Sequence, residues 1–296
     1  MRHIRKNTIT AYLFLLPWLI GFFGLVLGPM VSSLYLSFTE YDLLTAPEWV
    51  GLQNFIEMFQ DSNFWQSVRV TLGFVLIGVP GQLFFALFIA LLLNKGLKGI
   101  GLYRTVYYIP SLLGGSVAIA LLWKNIFGFE GIVNDFLAIL GIEGRSWVSH
   151  PDYALYTLII LAVWQFGASM VIFLAGLKQI PGELYDASAV DGAGKFSQFK
   201  SITIPMLTPV ILFNLVIELI KALQVFTPAY IVSEGTGGPS GSTLFYTLLL
   251  YQKGFSYFEM GYASAMAWIL VLVLATLTAL IFFSSKYWVH YENGGS

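Results

Sequence analysis

The sequence predicts an all-α, polytopic membrane protein, and two observations carry that prediction. Of its 296 residues, 57% are hydrophobic and 10% are charged, whereas a soluble domain carries about 25% charged residues. Several stretches of about 20 mostly apolar residues follow one another, which is the length that an α-helix needs to cross a hydrocarbon core of about 30 Å. The alternating segments of about ten residues that are typical of a transmembrane β-barrel do not occur in it.

Six membrane spans are predicted in chain order, at residues 12–34, 68–93, 105–123, 153–177, 206–232 and 262–283. A basic segment precedes the first span, but the apolar run after it is longer than the core of a signal peptide, which has about 7–15 residues. We therefore interpret the first span as retained. Proline lacks the backbone donor of a helix, so interruptions are expected at Pro17, Pro29, Pro80 and Pro228.

Basic residues predict the orientation in the membrane. An even number of spans places both termini on one side, and because loops rich in lysine and arginine stay in the cytoplasm, both termini are predicted to be cytoplasmic. The basic residues on that side are Arg2, Arg5, Lys6, Lys95, Lys98, Arg104, Lys178, Lys195, Lys200 and Lys286, against Arg69, Lys124, Arg145 and Lys253 on the other.

Composition and motifs exclude several function classes. The net charge is −1 and cysteine is absent, so the sequence offers neither a basic field for nucleic acid nor a thiolate or iron–sulfur site. The three histidines lie in the two termini and one outer loop, too dispersed for a metal cluster. Gly194-Lys195 is followed by Phe196 instead of Ser or Thr, so the phosphate-binding loop of an ATPase is absent. We expect no metal, no cofactor and no catalytic residue in this chain.

The longest connection on the predicted cytoplasmic side, between the fourth and fifth spans, carries its own helix signals. Glu183 and Asp186 fall in the first turns of a short helix, where negative charge is favourable. Gly192 can end that helix, because glycine adopts the left-handed cap conformation. A second short helix is predicted at about residues 195–201, and Pro205 is predicted to open the fifth span. This helix–turn–helix is expected to present a surface.

Residues of this connection resemble a family motif. Asp186-Ala187-Ser188, Gly192 and then Ile202, Ile204 and Pro205 have the spacing of a pattern that reads Glu-Ala-Ala, three residues, Gly, nine residues and Ile-x-Leu-Pro. This pattern marks the permease subunits of bacterial binding-protein-dependent ABC importers, which the chain resembles from about residue 12 to residue 288. Flanking segments are similar to the maltose and multiple-sugar branch: Pro181-x-Glu183-Leu184-Tyr185, Asp191-Gly192-Ala193 and Thr236-Gly237-Gly238-Pro239.

Three positions depart from the family pattern: Asp186 replaces glutamate, Ser188 replaces the second alanine and Ile204 replaces leucine. Asp186 keeps the charge, but its side chain is one methylene shorter, so an ion pair with a partner is expected to be longer or reorganised. The long outer insertion that some relatives carry between early spans is absent.

The resemblance implies a type I ABC importer permease fold in a bacterial cell membrane, with residues 1–296 forming one transmembrane domain. It further implies a second homologous permease subunit, two ATPase subunits and an extracytoplasmic binding protein as partners. The imported substrate would be a sugar or an oligosaccharide. The chain would perform no catalysis, and ATP with its Mg²⁺ would be bound by the ATPase.

The resemblance also identifies the segment from about residue 178 to residue 205, the coupling loop, as the element that docks on the ATPase. The residues implied in this contact are Glu183, Tyr185, Asp186, Ala187, Ser188, Asp191, Gly192, Phe196 and Pro205. Tyr185 and Phe196 would be buried anchors, Asp186 a charge contact, and Gly192 the turn that aims the two short helices. The alternative is a loop that folds back on its own bundle.

Charged residues inside the fifth predicted span point to a second site. Glu218 and Lys221 lie on one helix stripe with Asn214, and ionisable residues at this depth face a bundle interior or a water-filled cavity. Three interpretations are open: a structural ion pair, a relay in an ion-coupled secondary carrier, and a contact with substrate. The resemblance favours the last, because counting from the motif brings Glu218, Lys221, Ala222 and Val225 onto the family's sugar-contacting stretch.

The same count places Trp164, Gln165 and Ala168 of the fourth span opposite this stretch. An aromatic ring beside an amide suits a sugar, since the ring covers the apolar C–H face and the amide matches the hydroxyl groups. The alternative is that Trp164 packs in the core and Gln165 bonds between helices.

Overall fold

The computed structural model describes residues 13–96 and 99–290. Residue 12 of the first predicted span and the basic residues Arg2, Arg5, Lys6 and Lys98 of the topology prediction lie outside the described residues. In the described part, helices form almost all of the regular structure and the strands are confined to one two-stranded ribbon. The prediction of an all-α fold is confirmed.

The elements follow one another in this order. The first half contains α1 (Leu13–Leu36), β1 (Thr39–Glu40), β2 (Glu48–Trp49), α2 (Gln53–Gln60), α3 (Ser62–Leu93), α4 (Ile100–Leu113), α5 (Val117–Ile126) and α6 (Ile132–Ile139). The second half contains α7 (Ala154–Trp164), α8 (Gly167–Gln179), α9 (Gly182–Val190), α10 (Lys195–Gln198), α11 (Ile204–Leu223), α12 (Thr227–Val232), α13 (Tyr246–Tyr251) and α14 (Met260–Trp288). Turns of π-helix occur at Phe22–Leu27, Phe199–Thr203 and Gln252–Ser256.

By length and composition, the described residues contain four helices that could cross a membrane, or up to six if each of two bent helix pairs is one span. The four are α1, α3, α14 and the run from Lys195 to Val232. The bent pairs are α4 with α5, at 99°, and α7 with α8, at 41°. The third and fourth predicted spans are therefore interrupted helices, with breaks after Leu113 and Trp164.

Three of the predicted proline interruptions are wrong, since α1 continues through Pro17 and Pro29. Pro80 lies inside α3, which continues through it, because packing against α7, α8 and α11 supports α3 on both sides of the proline. Pro205 lies in the first turn of α11, as predicted, and α10 leads into that helix without a break through the π turn Phe199–Thr203. The wider π turn directly before Pro205 accommodates a residue that has no backbone donor.

The chain divides into two compact units, of which the first takes in residues 13–61 and 250–272. Within it, the buried Asn54 of α2 donates hydrogen bonds of 2.9 Å to the backbone oxygens of Ser37 and Thr39. These bonds fix α2 against the β-ribbon. α1, in contrast, has no buried side chain among its described residues.

The second unit takes in the described residues of 62–249 and 273–290. Its centre is α3, which packs against α7, α8 and α11, while α4 packs against α8 and α5 against α12. A buried apolar cluster fills the space between these helices: Ala86, Ala90, Leu93, Phe166, Met170, Phe173, Leu174, Leu177, Ile180 and Leu207. Three interrupted helix runs, α4–α5, α7–α8 and α11–α12, thus belong to one bundle.

Candidate functional site

A cavity of about 310 Å³ lies in the second unit where the three interrupted helix runs meet. Gly114 and Gly115 of the α4–α5 break, Gln165 of the α7–α8 break and residues 224–228 of the α11–α12 break form part of its wall. The rest of the lining consists of Phe74, Gln82, Ser111, Leu158, Leu161, Ala162, Ala168, Glu218, Lys221 and Ala222. Helix ends leave backbone groups unpaired, and at membrane depth such backbone is tolerated where it is buried or lines a cavity.

Most of the residues predicted to contact substrate are brought together here. Those that line the cavity are Gln165, Ala168, Glu218, Lys221, Ala222 and Val225. Trp164 does not line it; its ring is 36% exposed and lies 5.9 Å from the ring of Trp123. Asn214 is also outside the lining, because it is buried and donates to the backbone oxygen of Val210 in its own helix. The stripe predicted on the fifth span thus reaches the cavity only from Glu218 onward.

Glu218 is the buried charge of the cavity, with 5% of its surface exposed. Its Oε1 atom accepts hydrogen bonds from Lys221 Nζ at 3.0 Å and from Ser169 Oγ at 3.1 Å. The side chain of Lys221 is 57% exposed, against 6% for that of Glu218. Within the part of the chain that the structure describes, Glu218 Oε2 has no hydrogen-bond partner. The ion pair therefore leaves one carboxylate oxygen available as an acceptor.

Sequence reasoning missed Ser169. It follows Ala168, which was predicted to contact substrate, and it is a hydroxyl residue in an otherwise apolar stretch of α8. That position beside a predicted contact was the available signal. The pairing with Glu218, 49 residues further along the chain, follows only from the packing of α8 against α11.

The remaining polar lining of the cavity is uncharged. Gln82 donates to the backbone oxygen of Gln165 at 3.4 Å, and the amide of Gln165 donates to the backbone oxygen of Leu161 at 3.2 Å. Gln165 lies directly over Gly114, where a β-carbon would overlap its side chain and displace it. Together with the lining hydroxyls, these amides offer donors and acceptors to a ligand with many hydroxyl groups.

An ion pair joins α5 to the segment that follows α12. Lys124 Nζ, in the last turn of α5, lies 2.5 Å from the carboxylate of Glu234. The hydrogen bond from Lys124 and its positive charge lower the pKa of Glu234 below its usual value. The carboxylate therefore stays charged at neutral pH and keeps Lys124 as its partner.

The coupling loop forms a helix that ends in a left-handed cap. Gly192 has φ +82°, and its N–H donates to the oxygen of Ala189 at 3.1 Å. The N–H of Ala193 donates to the oxygen of Ser188 at 2.9 Å. These two bonds form a Schellman motif, so α9 ends at the Asp191-Gly192 step that the sequence predicts. A β-carbon at Gly192 would meet no atom within 4 Å, and the requirement for glycine comes from its backbone angle alone.

The predicted coupling residues divide into two groups. One group is exposed: Glu183, Asp186, Ala187, Asp191, Gly192 and Phe196, with Phe196 80% exposed. The other group, Tyr185, Ser188 and Pro205, is half-buried. Tyr185 is not a free anchor, because its hydroxyl lies 2.9 Å from Thr203 Oγ1 and its ring packs on the chain's own apolar core.

Gln198, which sequence reasoning missed, joins the two short helices of the coupling loop. It is buried, and its amide donates to the backbone oxygen of Tyr185 at 3.1 Å and to Ser188 Oγ at 3.0 Å. Ser188, which replaces alanine in the family pattern, supplies the second of these acceptors. The loop is therefore cross-linked on its inner side, while its outer side carries the exposed acidic and aromatic residues.

The sequence matches known proteins over nearly its whole length. Residues 71–289 match the family described as the binding-protein-dependent transport system inner membrane component. The chain is 53% identical to the probable ABC transporter permease protein YesP of Bacillus subtilis (strain 168), over 99% of this chain and 95% of the relative. It is 34% identical to the lactose transport system permease protein LacF of Rhizobium radiobacter, over 95% of this chain and 96% of the relative.

Solved structures share the fold. The chain is similar to one in a crystal structure of a bacterial alginate ABC transporter in complex with an alginate pentasaccharide-bound periplasmic protein, with a TM-score of 0.81, 21% identity and coverage of 95% of each chain. A second crystal structure, of a bacterial ABC transporter that imports alginate, gives a TM-score of 0.77 at 20% identity over 97% of this chain and 99% of that one. The predicted multi-pass permease fold is confirmed.

Proposed function

The chain belongs to the family of binding-protein-dependent transport system inner membrane components, and we propose that it forms half of the translocation pathway of an ATP-driven importer for a sugar or an oligosaccharide. A second homologous permease completes the pathway. Two ATPase subunits drive it, and an extracytoplasmic binding protein delivers the substrate. The chain itself performs no covalent chemistry, and ATP and Mg²⁺ are bound by the ATPase.

The observation that carries this proposal is the cavity at the three helix breaks. Its amides and hydroxyls are uncharged hydrogen-bonding groups, and the carboxylate of Glu218 is paired with Lys221 but keeps one oxygen free. Such groups match the hydroxyls of a sugar, which both donate and accept hydrogen bonds. Phe74 and Phe226 add aromatic surface to the lining, which suits the apolar C–H faces of sugar rings. The lactose permease and the alginate transporters among the similar proteins support the same substrate class.

The coupling loop supplies the connection to the motor in this proposal. Its exposed Asp186 and Phe196 dock on the ATPase, and the bonds of Gln198 hold its two helices as one stiff element. The helical run from Lys195 to Leu223 leads from this loop to the cavity wall. Movement of the docked loop therefore displaces Glu218 and Lys221, and the cavity changes the side to which it opens.

The test is uptake by the complete complex in proteoliposomes, with ATP inside and binding protein outside. A panel of radiolabelled sugars, with lactose, maltose, trehalose and an alginate oligosaccharide among them, serves as substrate. We expect ATP-dependent uptake of at least one sugar and none from an ion gradient alone. Uptake from a gradient without ATP would instead support an ion-coupled carrier that uses Glu218 and Lys221 as its relay.

A further inference from the structure

We infer that Ser169 is a positioning residue for substrate recognition: its hydroxyl fixes the carboxylate of Glu218 so that Oε2 is presented to a hydroxyl group of the sugar. The inference rests on the proposed function of the cavity, and it adds the residue that sets the geometry of the acceptor. Ser169 does not line the cavity itself and therefore acts through Glu218.

The hydrogen bond of Ser169 differs from those of other helical hydroxyl residues in the second unit. Ser67, Ser111 and Thr157 each donate to a backbone oxygen three residues earlier in their own helix, which is the local bond that serine and threonine usually make. Ser169 Oγ instead reaches across from α8 to Glu218 Oε1 on α11. A serine that only filled space would satisfy its hydroxyl locally.

Two donors on one oxygen fix the carboxylate. Lys221 approaches Oε1 from the same helix and Ser169 from the facing helix, at 3.0 and 3.1 Å. Ser169 is 1% exposed and Glu218 is 5% exposed, so neither side chain can exchange this bond for water without moving. Rotation of the carboxylate would break both bonds, and Oε2 keeps one direction as a result.

The chemistry of the free oxygen restricts what can bind there. A carboxylate only accepts hydrogen bonds, and an acceptor on a cavity wall that loses its water to a bound ligand needs a donor from that ligand. A sugar hydroxyl supplies that donor, whereas a carboxylate or sulfonate group placed at the same point is repelled. We therefore assign Oε2 to one hydroxyl of the substrate, with Ser169 as the residue that sets its direction.

The experiment measures sugar binding to the purified membrane complex without the binding protein, because the binding protein makes its own selection. The probe is the radiolabelled sugar with the highest uptake in the panel above, together with its monodeoxy analogues as competitors. Ser169→Ala should weaken binding of the parent sugar about tenfold, with unchanged basal ATPase. Ser67→Ala, also a buried serine, is the matched control and should bind as the wild type does.

The analogues separate positioning from structural support. In the wild type, the analogue that lacks the hydroxyl bound by Oε2 should compete about tenfold more weakly than the parent. In Ser169→Ala that penalty should fall to within about threefold, while the ratios of the other analogues stay the same. Wild-type binding by Ser169→Ala, an unchanged penalty, or failure of the variant to assemble would overturn the inference. A wild-type complex that takes up no sugar would contradict the proposed function instead.

Discussion

The cavity and the coupling loop hold their polar residues in opposite ways. In the cavity, Glu218 is almost fully buried and bonded within the chain, so one free oxygen is left for a ligand. In the coupling loop, Asp186 and Phe196 are exposed, and only the inner side is bonded, through Gln198. This difference is consistent with the roles that we propose, a cavity that binds substrate and a loop that docks on a partner.

Removal of the buried charge should have the largest effect. Glu218→Leu removes the acceptor and leaves Lys221 unpaired, so uptake should fall at least about a hundredfold while the ATPase still co-purifies with the complex. Asn214→Leu is the matched control, because Asn214 is buried in the same helix but bonds only to its own backbone. For both variants, the uptake of radiolabelled sugar and the amount of ATPase in the purified complex are measured. Equal uptake by Glu218→Leu and Asn214→Leu would show that Glu218 does not contact the substrate.

A change of the turn in the coupling loop should affect transport without affecting the cavity. Gly192→Val places a branched side chain at φ +82°, at a cost of about 1–2 kcal/mol or more, so the two short helices are no longer aimed as before. ATP-dependent uptake should fall about tenfold while sugar binding stays constant. Gly194→Val is the control, since Gly194 has φ −73° and open space around it. Wild-type uptake by Gly192→Val would show that the coupling loop does not transmit movement from the ATPase to the cavity.

Charge reversal should weaken docking of the ATPase. Asp186→Lys changes the sign of an exposed charge in the middle of α9 that belongs to the proposed contact. We expect several times less ATPase to co-purify, with unchanged sugar binding. Asp135→Lys reverses an exposed acidic residue in the first turn of α6, away from the loop, and should leave docking intact. If equal amounts of ATPase co-purified with the two variants, Asp186 would not contribute to the interface with the ATPase.

The two aromatic residues of the coupling loop should separate docking from stability. Phe196→Ala removes an exposed ring and should weaken docking by about 1–2 kcal/mol without lowering the unfolding temperature. Tyr185→Phe removes the bond to Thr203 and should cost about 0.5–1.5 kcal/mol of stability with normal docking. Thermal unfolding and co-purification distinguish the two. The reverse pattern would mean that Tyr185, not Phe196, meets the partner.

The sequence predicted the features that depend on local chemistry. The end of α9 at Gly192 follows from glycine's backbone freedom, and the apolar runs predict the spans because their length must match the membrane. Counting from the family motif placed Gln165 and Glu218 on facing spans, and both line the cavity. These are properties of short segments, which the sequence contains in full.

Features that depend on packing were not predictable from the sequence. The 99° bend between α4 and α5 and the helix that continues through Pro80 are set by neighbouring helices. The ring of Trp164 packs near Trp123 instead of lining the cavity, and one residue of rotation on a helix decides between these positions. Ser169 and Glu218 are distant in sequence, so no periodicity connects them.

In the proposed function, Glu218 contacts the substrate and is not merely the partner of Lys221. Uptake by the double variant Glu218→Leu/Lys221→Leu tests it most directly, because removing both charges leaves neither one unpaired. We predict a stable complex that binds the ATPase, keeps basal ATP hydrolysis and takes up no sugar in proteoliposomes. A stable double variant with wild-type uptake would show that Glu218 is only half of a structural ion pair.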